Sequence, residues 1–389
     1  MKQTQGLPRA IELMNAFAAM TGLAPASEAP RRYLWTDAFA VCNFLGLYRQ
    51  TNDEEHKKLA LLLVDQVHNI LGRHRDDDRR KGWISGLDER EGERRPTVGG
   101  LRIGKKMNER GPDDPFDEQL EWDRDGQYYH YLTKWMYALN CVSSITGDPA
   151  YVRWAVELAK TAYAKFTVGP SYGDQRRMYW KMSIDLSYPL VASMGRHDPL
   201  DGLIVYCELQ AGLAGGSEDS LDLTGEIEGL AAMCKGKDWT TDDPLGIGGL
   251  LSDAYRTAQM MVSGAFPQAG LLAVLLDACR LGLRAYLSTD SLEAPARRRL
   301  AFRELGVSIG LHALERLQRL IEGKPGIFDK APSLARQVEI LMRYGPLAEI
   351  IEDFWLDPAN REAPSFTDHR DINTVMLATS LAPDGYLML

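Results

Sequence analysis

Aromatic, carboxylic and imidazole side chains gather at five places in this sequence, each beside the start of an apolar helical run. The first holds Tyr33, Trp35, Thr36 and Asp37. The second holds Trp122, Asp123, Asp125, Gln127, Tyr128, Tyr129, His130 and Tyr131. The third holds Tyr179, Trp180, Lys181, Asp185 and Tyr188, the fourth Ser252, Asp253, Tyr255 and Arg256. The last holds Thr367, Asp368, His369, Arg370, Asp371 and Asn373. A pyranose ring offers C–H faces that lie on aromatic rings and hydroxyl edges that need polar partners. These residue types therefore suit a carbohydrate.

Two reactions fit such a set. Cleaving a glycosidic bond needs two carboxyl groups across it, one as acid and one as base or nucleophile. Asp37, Asp125 and Asp371 are the candidates, with Asp125 paired to Asp37 or to Asp371. Asp185 and Asp253 complete the carboxylate pool. Trp35, Gln127, Tyr128, His130, Trp180, Lys181, Asp185, Asp253, His369 and Arg370 are the candidate substrate-binding residues. A glycoside hydrolase is the leading reading. The alternative is a sugar epimerase, isomerase or lyase with His130 and His369 as proton carriers. A third reading is a helical interaction scaffold, in which Trp35, Tyr128 and Trp180 are core residues. Aspartate at a helix start is also an ordinary cap, and capping is the plainer role for any single one of them.

Other motifs carry less. The run Gly99-Gly-Leu-Arg-Ile-Gly104-Lys105 fits GxxxxGK, but Lys106 stands where a phosphate loop needs Ser or Thr, and no apolar strand precedes it. There is no HExxH and no closely spaced His/Cys pair. No metal and no cofactor is expected. His56, His68 and His74 read as solvent-face residues, His197 as a loop residue and His312 as part of a helix interface.

The elements that must position these residues are helices of two kinds. Residues 37–48 and 128–145 are apolar almost all round, which implies burial on every side. Residues 54–71 and 149–166 carry a single apolar stripe. In the first of these the stripe is Leu59, Leu62, Leu63, Val67, Ile70 and Leu71. Asp53 and Asp148 stand as N-caps of the one-faced helices. Three further pairs follow: 203–213 with 221–234, 250–263 with 269–287, and 302–321 with 333–354. The N-terminal helix, 8–20, has no preceding partner and 371–381 has no following one, so these two are expected to pair. Short strand-like alternation occurs only around 178–184. Residues 83–122 have little helical period yet hold Trp83, Ile84, Leu101, Ile103, Phe116 and Trp122. A long irregular segment of that kind is expected to cap a site and give it an aromatic side chain.

This rhythm of hairpins resembles the six-hairpin (α/α)6 toroids of the glycosidase-like superfamily. The resemblance covers most of the chain and rests on helix pairing, with no signature of one named family. It implies an all-α fold, an (α/α)6 toroid in a single domain over 1–389, with a capping loop at 75–124. Inner apolar helices would be ringed by outer amphipathic ones around a central pocket. Glycoside hydrolases, sugar epimerases and polysaccharide lyases share that architecture.

The 389 residues are 45% hydrophobic and 25% charged, with net charge −9. That excludes disorder over most of the chain and argues against nucleic acid as a partner. Five cysteines, an odd number scattered through apolar runs, read as reduced thiols. The expected setting is the cytoplasm, away from membranes. The expected partner is a small-molecule or oligosaccharide substrate.

Overall fold

The computed structural model describes residues 3–169, 176–213, 221–266, 268–329 and 331–388. The first helices are α1 (Gln3–Met20), α2 (Leu34–Thr51), α3 (Glu54–Leu71) and the short α4 (Glu89–Arg94) and α5 (Glu118–Asp123). Then come α6 (Tyr129–Thr146), α7 (Pro149–Phe166), α8 (Asp198–Gly212), α9 (Thr224–Cys234), α10 (Pro244–Ser263) and α11 (Ala269–Leu287). The last are α12 (Ala301–Gly323), α13 (Pro332–Met342), α14 (Pro346–Leu356) and α15 (Arg370–Leu381). The chain is mainly α-helical, with successive helices packed as hairpins, such as α6 on α7 and α10 on α11. Among the described residues no helix is long and apolar enough to cross a membrane.

The chain divides into two compact units. One comprises Met1–Met20, Arg49–Asn52 and Lys237–Leu389, the other Thr21–Tyr48 and Asp53–Gly236. In the second unit the two helix kinds are as their sequences predict. Every residue of α2 from 34 to 47 is buried, and α8 is buried throughout from 198 to 209. By contrast α3 and α7 bury one stripe each. Helix α6 packs on α7 and on α8, and α8 packs on α9. Asp53 and Asp148 cap α3 and α7 by accepting from the Glu55 and Ala150 amides. Gly147, at φ 74°, ends α6 in the left-handed conformation that favours glycine.

The stripe of α3 is turned from the expected one. Leu62 is exposed, while Val64 and His68 are inside. His56 and His68 are therefore buried, not solvent-facing. His68 Nε2 accepts a hydrogen bond of 3.1 Å from the Trp135 indole, and burial drives its pKa down to about 3. An imidazole kept neutral as an acceptor fits an apolar stripe as well as a leucine does.

Five short strands carry the second unit's remaining order: β1 (Gln127–Tyr128), β2 (Thr167–Val168), β3 (Arg177–Met178), β4 (Lys181–Met182) and β5 (Pro189–Val191). Strand β4 lies antiparallel between β1 and β5, with Tyr128 opposite Lys181. The alternation read around 178–184 corresponds to β3 and β4. Residues 83–122 contain α4 and α5, which the sequence did not announce. Each is a six-residue turn begun by an aspartate cap, Asp88 and Asp117. Trp83 is a core residue whose ring meets the Cα side of Gly92 so closely that no Cβ fits there.

In the first unit α12 is the hub. It packs on α10, α13, α14 and α15. A Cβ on Gly248 would stand 1.9 Å from the Gly306 carbonyl, so glycine is what lets α10 and α12 touch by their backbones. Helix α1 packs on α15, and α10 on α11, as the pairing of the sequence predicts.

Candidate active site

The sequence DGQ at 125–127 ends the irregular segment and leads through β1 into α6. Asp125 is fully buried. Its Oδ2 accepts from Arg102 at 2.9 Å and Arg75 at 3.4 Å, and its Oδ1 from the Gly104 and Gly126 amides at 2.9 and 3.1 Å. Gln127 accepts from the Leu101 amide at 2.9 Å and donates to the Gly99 and Ile184 carbonyls. A Cβ on Gly100, at φ 77°, would fall 2.0 Å from the Gln127 amide oxygen. The glycine-rich run 99–104 is thus a backbone segment clipped in place by Asp125 and Gln127, and its shape serves packing.

Asp37, Lys181 and Asp185 of the second unit are similarly engaged. Asp37 accepts from the Tyr33 amide at 2.9 Å and pairs with buried Arg32 at 3.6 Å, inside the first turn of α2. Lys181 Nζ donates to the Glu121 and Arg124 carbonyls at 2.6 and 2.8 Å and to the Glu121 carboxylate. Asp185 accepts from Ser183, Ser187 and Arg80. Trp35 is buried against Phe39, ring centroids 4.6 Å apart.

Three of the expected residues do meet. β1 and β4 bring Trp180 to Tyr128, ring centroids 5.0 Å apart, and the first turn of α6 adds His130, stacked 12° from the Trp180 plane at 6.2 Å. Tyr128 lies 5.3 Å from the His130 ring. Tyr131 stands edge-on to His130 at 4.9 Å and shares a 2.6 Å hydroxyl–hydroxyl bond with Tyr33. Trp122, half exposed at 50%, meets Trp180 edge-on at 5.3 Å. The irregular segment so gives this cluster one aromatic ring. Lys105 lies over the Tyr33 ring at 5.4 Å, and burial lowers its pKa.

Behind His130 stands a group the sequence reading passed over. Asp198 opens α8, ahead of Pro199, and its Oδ1 is 3.6 Å from His130 Nδ1. Neither His130 Nδ1 nor Asp198 Oδ2 has a hydrogen-bond partner. The imidazole keeps 26% of its side-chain surface open. Since Nδ1 is buried, the open edge carries Nε2. One helical turn on, Lys134 and Asp201 face each other at 3.5 Å. Burial lowers the His130 pKa to about 4. Burial first, and the Asp201 charge second, raise Asp198 to about 8, against the bond from the Gly195 amide. A helix N-terminus ordinarily lowers a carboxyl pKa; here desolvation outweighs it. At neutral pH both members of the pair are uncharged.

The first unit holds Asp253, His369, Arg370 and Asp371. Asp253 is buried in α10 with Arg256 Nη1 at 4.0 Å. Asp371 lies half-buried in the first turn of α15. His369 and Arg370 are exposed, His369 edge-on to Phe302 at 6.0 Å. Asp198 was legible only as the aspartate before a proline: that dipeptide also opens helices, with proline in the first turn.

No family model and no curated protein matches the chain. Among solved structures it is similar to a sugar epimerase from a ruminal bacterium, at 10% identity and TM-score 0.44, over 80% of this chain and 75% of that one. It is similar to cellobiose 2-epimerase from Bacillus thermoamylovorans at 10% identity and TM-score 0.39, over 83% and 75%. It is likewise similar to cellobiose 2-epimerase from Spirochaeta thermophila at 13% identity and TM-score 0.47, over 95% and 97%.

Proposed function

We propose that this chain is a carbohydrate-active enzyme that moves protons on a sugar, an epimerase or isomerase, working in the cytoplasm without a cofactor. What supports the reading is His130: an imidazole among aromatic rings, Nε2 edge open, with a buried carboxyl group behind Nδ1. Such walls suit the C–H faces of a pyranose or its open-chain form. In the tautomer whose proton sits on Nδ1, His130 Nε2 takes the proton from the carbon beside the carbonyl. The C–H bond breaks, N–H forms, and the electron pair moves onto the carbonyl oxygen. A proton from solvent added to the other face gives the epimer, and His130 Nε2 releases its own proton to solvent. The hydrolase reading wants two available carboxyl groups, and Asp37 and Asp125 are both tied to arginines.

Aldoses and disaccharides incubated in deuterated water are expected to lose the C2 proton signal and gain the epimer, followed by NMR. His130→Asn is expected to slow that exchange by about 10²–10⁴-fold, with circular dichroism unchanged. Release of free monosaccharide without deuterium uptake, or full exchange in His130→Asn, would overturn the reading.

A further inference from the structure

Two helices set four titratable groups face to face. His130 and Lys134, four residues apart on α6, meet Asp198 and Asp201, three apart on α8. The lower pair is an ion pair. The upper pair leaves two buried polar atoms without partners, which costs stability. Cores seldom keep such atoms without a use. The 3.6 Å gap is just beyond hydrogen-bond length, and catalytic contacts of this type commonly tighten when substrate binds.

We propose that Asp198 is the positioning residue of His130: its carboxyl decides which ring nitrogen carries the proton, and so whether the open Nε2 accepts a proton or gives one. With Asp198 protonated, its O–H donates to Nδ1, and Nε2 bears hydrogen. With Asp198 ionised, the carboxylate accepts from Nδ1–H, and Nε2 presents a lone pair. No atom is gained by the imidazole in the exchange. The proton on the carboxyl leaves to solvent, and the ring proton moves from Nε2 to Nδ1. The groups facing the pair are Asp201, which opposes ionisation of Asp198, and Lys134, which favours it. Tyr128 and Tyr131 adjoin His130 and Tyr129 lies near Asp198, all three held neutral by burial. The role rests on the proton-transfer reading, while the tautomer itself needs no substrate to be seen.

The test uses the full chain with ¹⁵N-labelled histidine, among seven in the sequence. Long-range ¹H–¹⁵N spectra assign the tautomer. Wild-type His130 is expected to pass from Nε2–H to Nδ1–H with a midpoint near the Asp198 value of about 8. Asp198→Asn is expected to hold the Nε2–H form at every pH, its amide donating to Nδ1. It should also lose the rise of exchange rate with pH that is expected of wild type. Asp201→Asn removes the charge that raises Asp198, so the midpoint is expected to move down by about half a pH unit or more. That variant carries the test if Asp198→Asn fails to fold. A wild-type tautomer constant from pH 6 to 9.5, or a midpoint unmoved by Asp201→Asn, would overturn the proposal. A tautomer change without activity on any sugar would instead defeat the functional reading alone.

Discussion

Arg102→Leu is expected to destabilise the chain by about 3 kcal/mol or more, because it leaves a buried carboxylate short of its nearest counter-charge. Asp125 has no exposed surface, and Arg102 stands 2.9 Å from it with only 10% of its own side chain open. The same guanidinium donates to the Arg73 and Ile70 carbonyls at 2.8 Å, so three acceptors lose a donor together. Arg75 remains at 3.4 Å and limits the loss. Asp125→Asn removes the charge from the other side and leaves buried Arg102 without its carboxylate, while Arg75 keeps Asp77. It is expected to destabilise by a similar amount, and to loosen residues 99–104 because Gly104 hangs on Oδ1. Urea midpoints of the two variants and the double variant check this. A coupling near zero in that cycle would mean that the pair is not a unit. A stable Asp125→Asn chain without turnover would return Asp125 to the reacting groups.

Glu352→Ala is expected to have an effect of the same size, about 3–5 kcal/mol, in the first unit. Its Oε1 accepts from Ser308 at 2.9 Å on α12, from Ser380 at 2.6 Å on α15 and from His312 at 2.7 Å. Truncation leaves two hydroxyls and an imidazolium without their common acceptor. The network also has a pH signature. Burial would lower the His312 pKa, but hydrogen bonds to Glu315 and Glu352 outweigh it and hold the group at about 9. A folded pKa above the ordinary 6.5 means that the contribution is complete below about pH 6.5. It is lost as pH rises through about 9. The expected loss is about 3 kcal/mol. Urea midpoints at pH 6, 8 and 10 measure it, and Glu352→Gln should flatten the slope. An unchanged slope would show that His312 is not charged in the folded chain.

The helices were legible because burial leaves a period. A run apolar on all sides, such as 37–48, has one stable place, and so has a run with a single stripe. Pairing of α1 with α15 followed from two helices lacking neighbours. The candidate site was legible in part. Tyr128, His130 and Trp180 were read from one aromatic rhythm, and β1 and β4 do bring them together. Asp125 and Gln127 were drawn from the same cluster, yet both hold the 99–104 backbone. A buried polar side chain looks alike in sequence whether it faces a ligand or a peptide bond, since both demand hydrogen bonds. His68 was misplaced because a neutral imidazole with one donor beside it behaves as an apolar residue.

The five thiols of this chain can serve as clocks. Each is reduced, and Cys42, Cys141, Cys207 and Cys279 are buried while Cys234 is half-buried. Thiol reagents attack the thiolate, and burial pushes Cys207 up to about 12 and Cys279 higher still. Neither reacts until its surroundings open. Cys207 belongs to one compact unit and Cys279 to the other. Pulses of an alkylating reagent read by peptide mass would therefore time the opening of each unit separately within one unmutated molecule. Cys234 should be labelled first. If Cys207 and Cys279 then disappear at one rate, the units open as one; two rates would give each its own lifetime.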